Sequence, residues 1–253
     1  MPPAADGRGR LRLDQLLVRR GLAESRARAQ ALIMAGLVFS GERRLDKAGM
    51  PMAEDAALAV KGRDHPWVSR GGVKLAHALD RFDIYPGGLV CLDVGASTGG
   101  FTDVLLSRGA ARVYAVDVGR GQLAWKLRID GRVTLLERVN ARELTRALIA
   151  EPIDLIVCDV SFISLTLALP AALALAAPGA RLIALVKPQF EAGRAQVGKG
   201  GIVHDADVRR EVCQRLSAWV AAQPGWQVSG LIESPITGAD GNQEYLLAAI
   251  HNL

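Results

Sequence analysis

Residues 92–102 read Leu92-Asp93-Val94-Gly95-Ala96-Ser97-Thr98-Gly99-Gly100-Phe101-Thr102, and residues 113–117 read Val113-Tyr114-Ala115-Val116-Asp117. The first stretch predicts a buried strand, a tight glycine turn and the start of a helix. The second predicts the next parallel strand, ending in a carboxylate. Together they form the nucleoside-binding half of a doubly wound, Rossmann-like α/β sheet. A nicotinamide site wants G-x-G-x-x-G, so that a pyrophosphate can lie against backbone amides at a helix N-terminus. Here the turn is Asp93-x-Gly95-x-x-x-Gly99-Gly100, with a carboxylate where a pyrophosphate would be repelled. An acid beside the turn suits a cofactor with an ammonium group, and Asp117 suits the two hydroxyls of a ribose. S-adenosylmethionine has both features, with Ser97 in the turn as a further contact.

Working outward, 253 residues suffice for one large and one small domain. Residues 1–63 hold 12 Lys/Arg against 7 Asp/Glu and residues 64–253 hold 19 against 19, so the formal +5 lies in the first quarter. A net positive charge at one end points to a polyanionic partner. Cys91, Cys158 and Cys213 lie far apart, two of them in apolar runs, as reduced core residues of a cytoplasmic protein do. Residues 1–12 lack the apolar segment of a signal peptide. Between Asp159 and Arg181 there are 21 residues without a charge, but Pro170 and Pro178-Gly179 interrupt them. That pattern predicts a strand end, an Ala/Leu-rich helix, a turn and a strand Leu182–Val186, and argues against a membrane span.

The basic end begins Leu11-Arg-Leu-Asp-Gln-Leu-Leu-Val-Arg-Arg-Gly21, with Asp14 as helix cap and Gly21 as stop. A second helix is predicted from Ser25 to before Gly36, followed by a strand and turn over Leu37–Arg44. Arg19, Arg20, Arg26 and Arg28 crowd the loop and the second helix start, with Arg12 just ahead of them, and guanidinium groups there make a phosphate surface. The Arg-Leu-Asp-x-x-Leu, Gly-Leu-x-x-Ser-Arg and Ile-x-x-Gly-x-Val motifs resemble an S4 RNA-binding domain over residues 11–62, behind a flexible 1–10. This chain has Phe39-Ser40-Gly41 where that family usually has Val-Asn-Gly.

In the larger part, four charged residues stand at predicted element ends near the cofactor crevice: Lys74 before the first helix, Asp159 and Lys187 after strands, and Glu244 opening the last strand. Two cations and two anions can offset one another in a water-poor cleft, where an ordered lysine can take the proton of a sugar hydroxyl. The joined motifs Ser69-Arg-Gly-Gly-Val-Lys74, Gly95-Ala-Ser-Thr-Gly-Gly-Phe-Thr102, Asp159-Val-Ser-Phe-Ile-Ser164 and Leu185-Val-Lys187-Pro-Gln-Phe190 resemble the TlyA family of ribosomal RNA 2′-O-methyltransferases, whose catalytic domain is FtsJ-like. The resemblance implies a catalytic tetrad of Lys74, Asp159, Lys187 and Glu244. It implies S-adenosylmethionine at Asp93, Gly95, Gly99, Gly100 and Asp117, with Asn140 near the adenine, and a cytidine ribose in ribosomal subunits as substrate. The linker is expected at 63–68 and the catalytic domain at 69–253; Pro66 stands in the linker where the family has Arg-x-Trp-Val. The four histidines form no metal-ligand pattern. Gly193–Gly200 nearly spells a P-loop but has Gly200 in place of the Mg²⁺-binding hydroxyl, and reads equally as a mobile basic loop near the substrate entrance or as a plain solvent loop. A monomer is expected. The rival readings are a non-catalytic RNA-binding assembly factor and a membrane-active haemolysin.

Overall fold

A computed structural model describes residues 10–23, 25–61, 65–238 and 240–252. The chain falls into two compact units, Met1–Pro66 and Trp67–Leu253. The expected flexible start and the linker residues Arg63 and Asp64 lie outside the described residues, apart from Arg10, which opens a strand. The other end of the expected linker is corrected. Trp67 packs on the core of the second unit, and the Val68 N–H donates to Asp103 at 2.8 Å.

The first unit runs β1 (Arg10–Arg12), α1 (Leu13–Arg19), α2 (Arg26–Met34), β2 (Val38–Ser40), β3 (Arg43–Arg44), β4 (Pro51–Ala53) and β5 (Ala59–Val60). Its core joins Leu13 and Leu17 of α1 to Ala29, Leu32 and Ile33 of α2, the i, i+3, i+4 spacing of an amphipathic helix. Ser25 caps α2 by accepting from the Arg28 N–H, as its position predicts. Asp14 is not the cap of α1. It lies inside the first turn with no exposed surface and takes hydrogen bonds from Arg12, Arg26 and Gln30.

The second unit runs α3 (Gly71–Arg81), β6 (Val90–Val94), α4 (Gly100–Ser107), β7 (Arg112–Asp117), α5 (Trp125–Arg128), β8 (Val133–Glu137), β9 (Ile153–Cys158), α6 (Leu165–Ala168), α7 (Pro170–Leu173), β10 (Ala176–Val186), α8 (Pro188–Glu191), α9 (Ala206–Ala221), β11 (Trp226–Glu233) and β12 (Tyr245–His251). Its strands form a seven-stranded sheet in the order β11-β12-β10-β9-β6-β7-β8. Only β12 runs against the other six, so the doubly wound sheet is mixed rather than all parallel. Strand alternation divides the core: Leu92, Val94, Ile156 and Cys158 pack on one face, Cys91, Leu155, Val157 and Ile183 on the other.

Two expectations fail between Asp159 and Arg181. The single Ala/Leu helix is split into α6 and α7 because Pro170 takes the first helical position of the second. The turn at Pro178-Gly179 lies within β10, which absorbs it as a register irregularity between Ala176 and Arg181. Among the described residues no helix is long and apolar enough to cross a membrane.

Candidate active site

Because β6, β7, β9 and β10 are parallel, their C-terminal ends come to one edge of the sheet, and the candidate residues arrive there together. The glycine turn after β6 is stitched to β7: the Gly95 and Ala96 amides donate to the Val116 carbonyl at 2.9 and 3.0 Å. Ser97 takes a left-handed φ of 48° and donates its N–H to Asp117 Oδ2 at 2.8 Å, while the Gly119 N–H donates to Oδ1 at 2.7 Å. Asp117 is thereby fixed with lone pairs to spare. Gly95 has φ 85°, and a Cβ there would strike the Asp159 carbonyl, so only glycine brings the turn this close to the loop after β9.

Two cavities open at this edge. The larger, about 470 Å³, is lined by Asp117, Asn140 and the apolar Val118, Val139, Val160 and Ile163. The smaller, about 190 Å³, is lined by Lys74, Lys187, Ser69 and Gly100. Gly95, Ser97, Asp159 and Ser161 line both.

Lys187 follows β10, and its Nζ lies 2.6 Å from Asp159 Oδ1 and donates to Ser161 Oγ at 2.9 Å. Lys74 pairs with Glu244 across 170 residues of sequence. Glu244 is placed by β12, the reversed strand, and its Oε1 faces the backbone of Gly238. Both members of this second pair are buried, so removing either leaves an uncompensated charge. Lys74 lies inside α3, not ahead of it. The helix starts at Gly71 because Gly72 accepts the Trp67 ring, where a Cβ would clash. Arg70 donates to the Thr237 carbonyl at 2.8 Å and ties the start of α3 to the turn that precedes Glu244.

The expected cofactor residues divide. Gly95, Ser97, Asp117 and Asn140 line the larger cavity and Gly100 the smaller. Asp93 and Gly99 are not among the residues lining either. Asp93 is sealed beneath the turn with no exposed surface; Thr102 donates to its Oδ2 at 2.7 Å, and its Oδ1 has no partner among the described residues. Burial, reinforced by the charges of Asp159 and Asp117, pushes its carboxyl up to about 7. It therefore does not face an ammonium group directly. Gly99 is required by its left-handed φ of 95° at the start of α4 instead, with the Leu123 and Leu127 side chains packed against it. The sequence reading missed Ser161, although it stands in the quoted Asp159–Ser164 stretch two residues past a strand-end carboxylate.

Of the five arginines expected to meet RNA, four are engaged within the first unit. Arg12 and Arg26 hold Asp14, Arg19 pairs with Glu54 at 2.9 Å, and Arg20 donates to the Glu54 and Ala56 carbonyls. Arg28 is exposed, and its side chain has no partner among the described residues. Arg194 opens a short 3₁₀ turn in the Gly193–Gly200 loop, whose far end Asn242 holds through Gly201 and Val203. Trp67 packs on the core of the second unit, whereas Trp125 is exposed. Burial pushes all three cysteine thiols up, Cys91 to about 12 and Cys213 to about 11, which keeps them unreactive.

Residues 67–250 match the FtsJ-like methyltransferase family model, and residues 11–55 match the S4 domain model. Over 239 residues the chain is 50% identical to the 16S/23S rRNA (cytidine-2′-O)-methyltransferase TlyA of Mycobacterium tuberculosis, covering 94% of this chain and 89% of that protein. It is 42% identical to Hemolysin A of Brachyspira hyodysenteriae, covering 93% and 98%. A solved structure from Streptococcus thermophilus carrying a hemolysin label superimposes with a TM-score of 0.74 at 43% identity, covering 96% of this chain and 89% of that one.

Proposed function

The chain belongs to the FtsJ-like methyltransferase family and carries an S4 domain, and on that premise we propose that it methylates the 2′-hydroxyl of a cytidine ribose in ribosomal RNA, using S-adenosylmethionine. The observation that carries the reading is the shared wall between the cavities. A nucleoside-sized pocket opens, through Gly95, Ser97, Asp159 and Ser161, onto a small polar one flanked by two lysines.

The residues present fit the cofactor. Gly95, at a φ only glycine takes easily, brings the turn backbone to the lining of both cavities, Asp117 is held by backbone amides with acceptor capacity to spare, and Val118, Val139 and Ile163 offer an apolar surface for a base. When bound, S-adenosylmethionine supplies a methyl group on a positively charged sulfur. Asp117 is positioned to hold the ribose hydroxyls and Asn140 to meet the adenine.

The chemistry left to the protein is orientation and one proton. A ribose hydroxyl is a weak nucleophile, and the Lys187 Nζ lone pair would take its proton as the hydroxyl oxygen bonds the methyl carbon and the carbon–sulfur bond breaks, releasing a neutral thioether. Asp159 orients that amine. Lys74 and Glu244 form a mutually neutralising pair at the back of the cavity, so that a second lysine adds no net charge there. In this reading residues 11–62 grip RNA and the unit from Trp67 onward catalyses, with Arg12, Arg19, Arg20, Arg26 and Arg28 forming the RNA-facing arginine set. The same reading has the chain working as a cytoplasmic monomer without a metal ion.

The test is transfer of a labelled methyl group to unmodified small subunits, large subunits and free ribosomal RNA, each incubated separately, followed by mapping of alkali-resistant linkages. Label on a cytidine ribose is the expected result. Cofactor binding with no label on any RNA would replace the reading with a non-catalytic RNA-binding role.

A further inference from the structure

We propose that Ser161 is the positioning residue that aims Lys187 at the acceptor hydroxyl, an inference that rests on the reading of Lys187 as the base. An amine nitrogen is tetrahedral. When Lys187 is neutral it keeps two N–H bonds and one lone pair. On the protein side Nζ donates one hydrogen bond, to Ser161 Oγ at 2.9 Å, while Asp159 Oδ1 lies 2.6 Å away as an ion-pair contact without hydrogen-bond geometry. The serine is thus the one directed bond that fixes the amine, and all three side chains line the small cavity that the lone pair must face. Asp159 alone would leave the amine free to rotate about a single contact. Ser161 removes that freedom.

The loop that carries Ser161 is held in register with the segment that carries Lys187. Glu191, at the end of α8, accepts from the Leu165 N–H with Oε1 and from the Ser164 hydroxyl with Oε2, both at 2.7 Å. Phe190 of the same short helix packs its ring on Phe162, with centroids 4.8 Å apart. Between these anchors Phe162 sits at φ 65°, a conformation a bulky side chain keeps only when its surroundings over-determine it. That reversal of the chain lies between Ser161, which meets Lys187, and Ser164, which meets Glu191. A strained residue held from both sides is how a fold fixes a hydroxyl on an otherwise exposed loop.

The experiment measures methyl transfer to the ribosomal RNA substrate by the full chain, with kcat and KM for cofactor and for RNA determined separately. A silent wild-type protein would overturn the reading of the function itself. With wild type active, Ser161→Ala is expected to lower kcat about 10- to 100-fold, the scale of a misplaced reacting group, with both KM values within about twofold. Ser161→Thr restores the hydroxyl on a residue exposed enough to take the extra methyl, and is expected to recover most of the rate. Glu191→Gln loosens the loop from its other end and is expected to give an intermediate kcat. Wild-type kcat in Ser161→Ala, a rise in KM with kcat unchanged, or a threonine variant no better than alanine would each overturn the proposal.

Discussion

Among the described residues, each unit of this protein buries one aspartate completely and surrounds it in the opposite way. Asp14 in the small unit is gripped by the Arg12 guanidinium, then by Gln30 and Arg26, which hold its carboxyl well below the usual carboxylate range. Asp93 in the large unit has one hydroxyl partner, two other carboxylates nearby and a carboxyl raised to about 7. The first is a hub that fixes where arginines stand on a surface. The second is a group kept near the point of losing its proton, beneath the turn that reaches the cofactor cavity. Complete burial thus says little about what an acid does; its neighbours decide.

The comparison places chemistry in the large unit and scaffolding in the small one, and the largest effect that can break it is on turnover. Lys187→Ala is expected to cut methyl transfer by about 10²- to 10⁴-fold with cofactor affinity nearly unchanged by calorimetry. Lost cofactor binding would instead move Lys187 into the larger cavity.

Next comes the pH dependence of stability, where the two acids have opposite signs. A carboxyl raised in the folded state adds stability that is fully present below its unfolded value and is lost as pH rises through its folded value. For Asp93 that window runs from about 4 to about 7 and is worth at most roughly 4 kcal/mol. All four tryptophans lie in the second unit, so their fluorescence during urea unfolding reads that unit. Asp93→Asn is expected to flatten its pH profile across this window. A profile unchanged by the substitution would show that Asp93 carries its charge at low cost.

For Asp14 the sign reverses: its stabilisation is present above the unfolded value and is lost as the solution is acidified below about pH 4. Asp14→Ala leaves two arginines without their acceptor. Because Arg12 and Arg26 are each about half exposed, the expected loss is about 2–3 kcal/mol in the small unit, below the figure for a fully buried pair. Circular dichroism melting that shows an early transition while tryptophan fluorescence stays unchanged would confirm that the damage is local.

The smallest effect sharpens the role of the small unit's surface. Arg28→Glu removes an exposed arginine that has no internal task, and is expected to reduce the salt slope of RNA binding by about 1 to 2 without a change in melting. Arg26→Glu is expected to change both, because that guanidinium also holds Asp14. An unchanged salt slope for Arg28→Glu would take that residue out of the RNA footprint.

Much of the site could be read from the chain because parallel strands deliver their last residues to a common edge. Asp117, Asp159 and Lys187 each follow an apolar run of four or five residues, and such placement needs no knowledge of distant contacts. What escaped depends on neighbours far away in sequence. Asp14 has the residue type of a helix cap, and only Arg26 and Gln30 make it a hub. Asp93 has the position of a ligand, and only the packing of α4 through Thr102 withdraws it. Gly99 belongs to the motif, yet what it serves is the left-handed backbone turn into α4, against which Leu123 and Leu127 pack. The continuation of β10 through Pro178-Gly179 is set by its pairing with β9, which local turn chemistry does not reveal.

The wall common to the two cavities has a consequence for inhibitor design. Nucleoside pockets recur across many enzymes, so a compound filling only the larger space would discriminate poorly between targets. The adjoining 190 Å³ space, with Lys74 and Lys187 on its lining, is a more individual feature. A single molecule with an adenosine-like half joined by a short tether to a compact anionic sugar mimic would draw affinity from the first and selectivity from the second. Gly95, Ser97, Asp159 and Ser161 mark where the tether must pass.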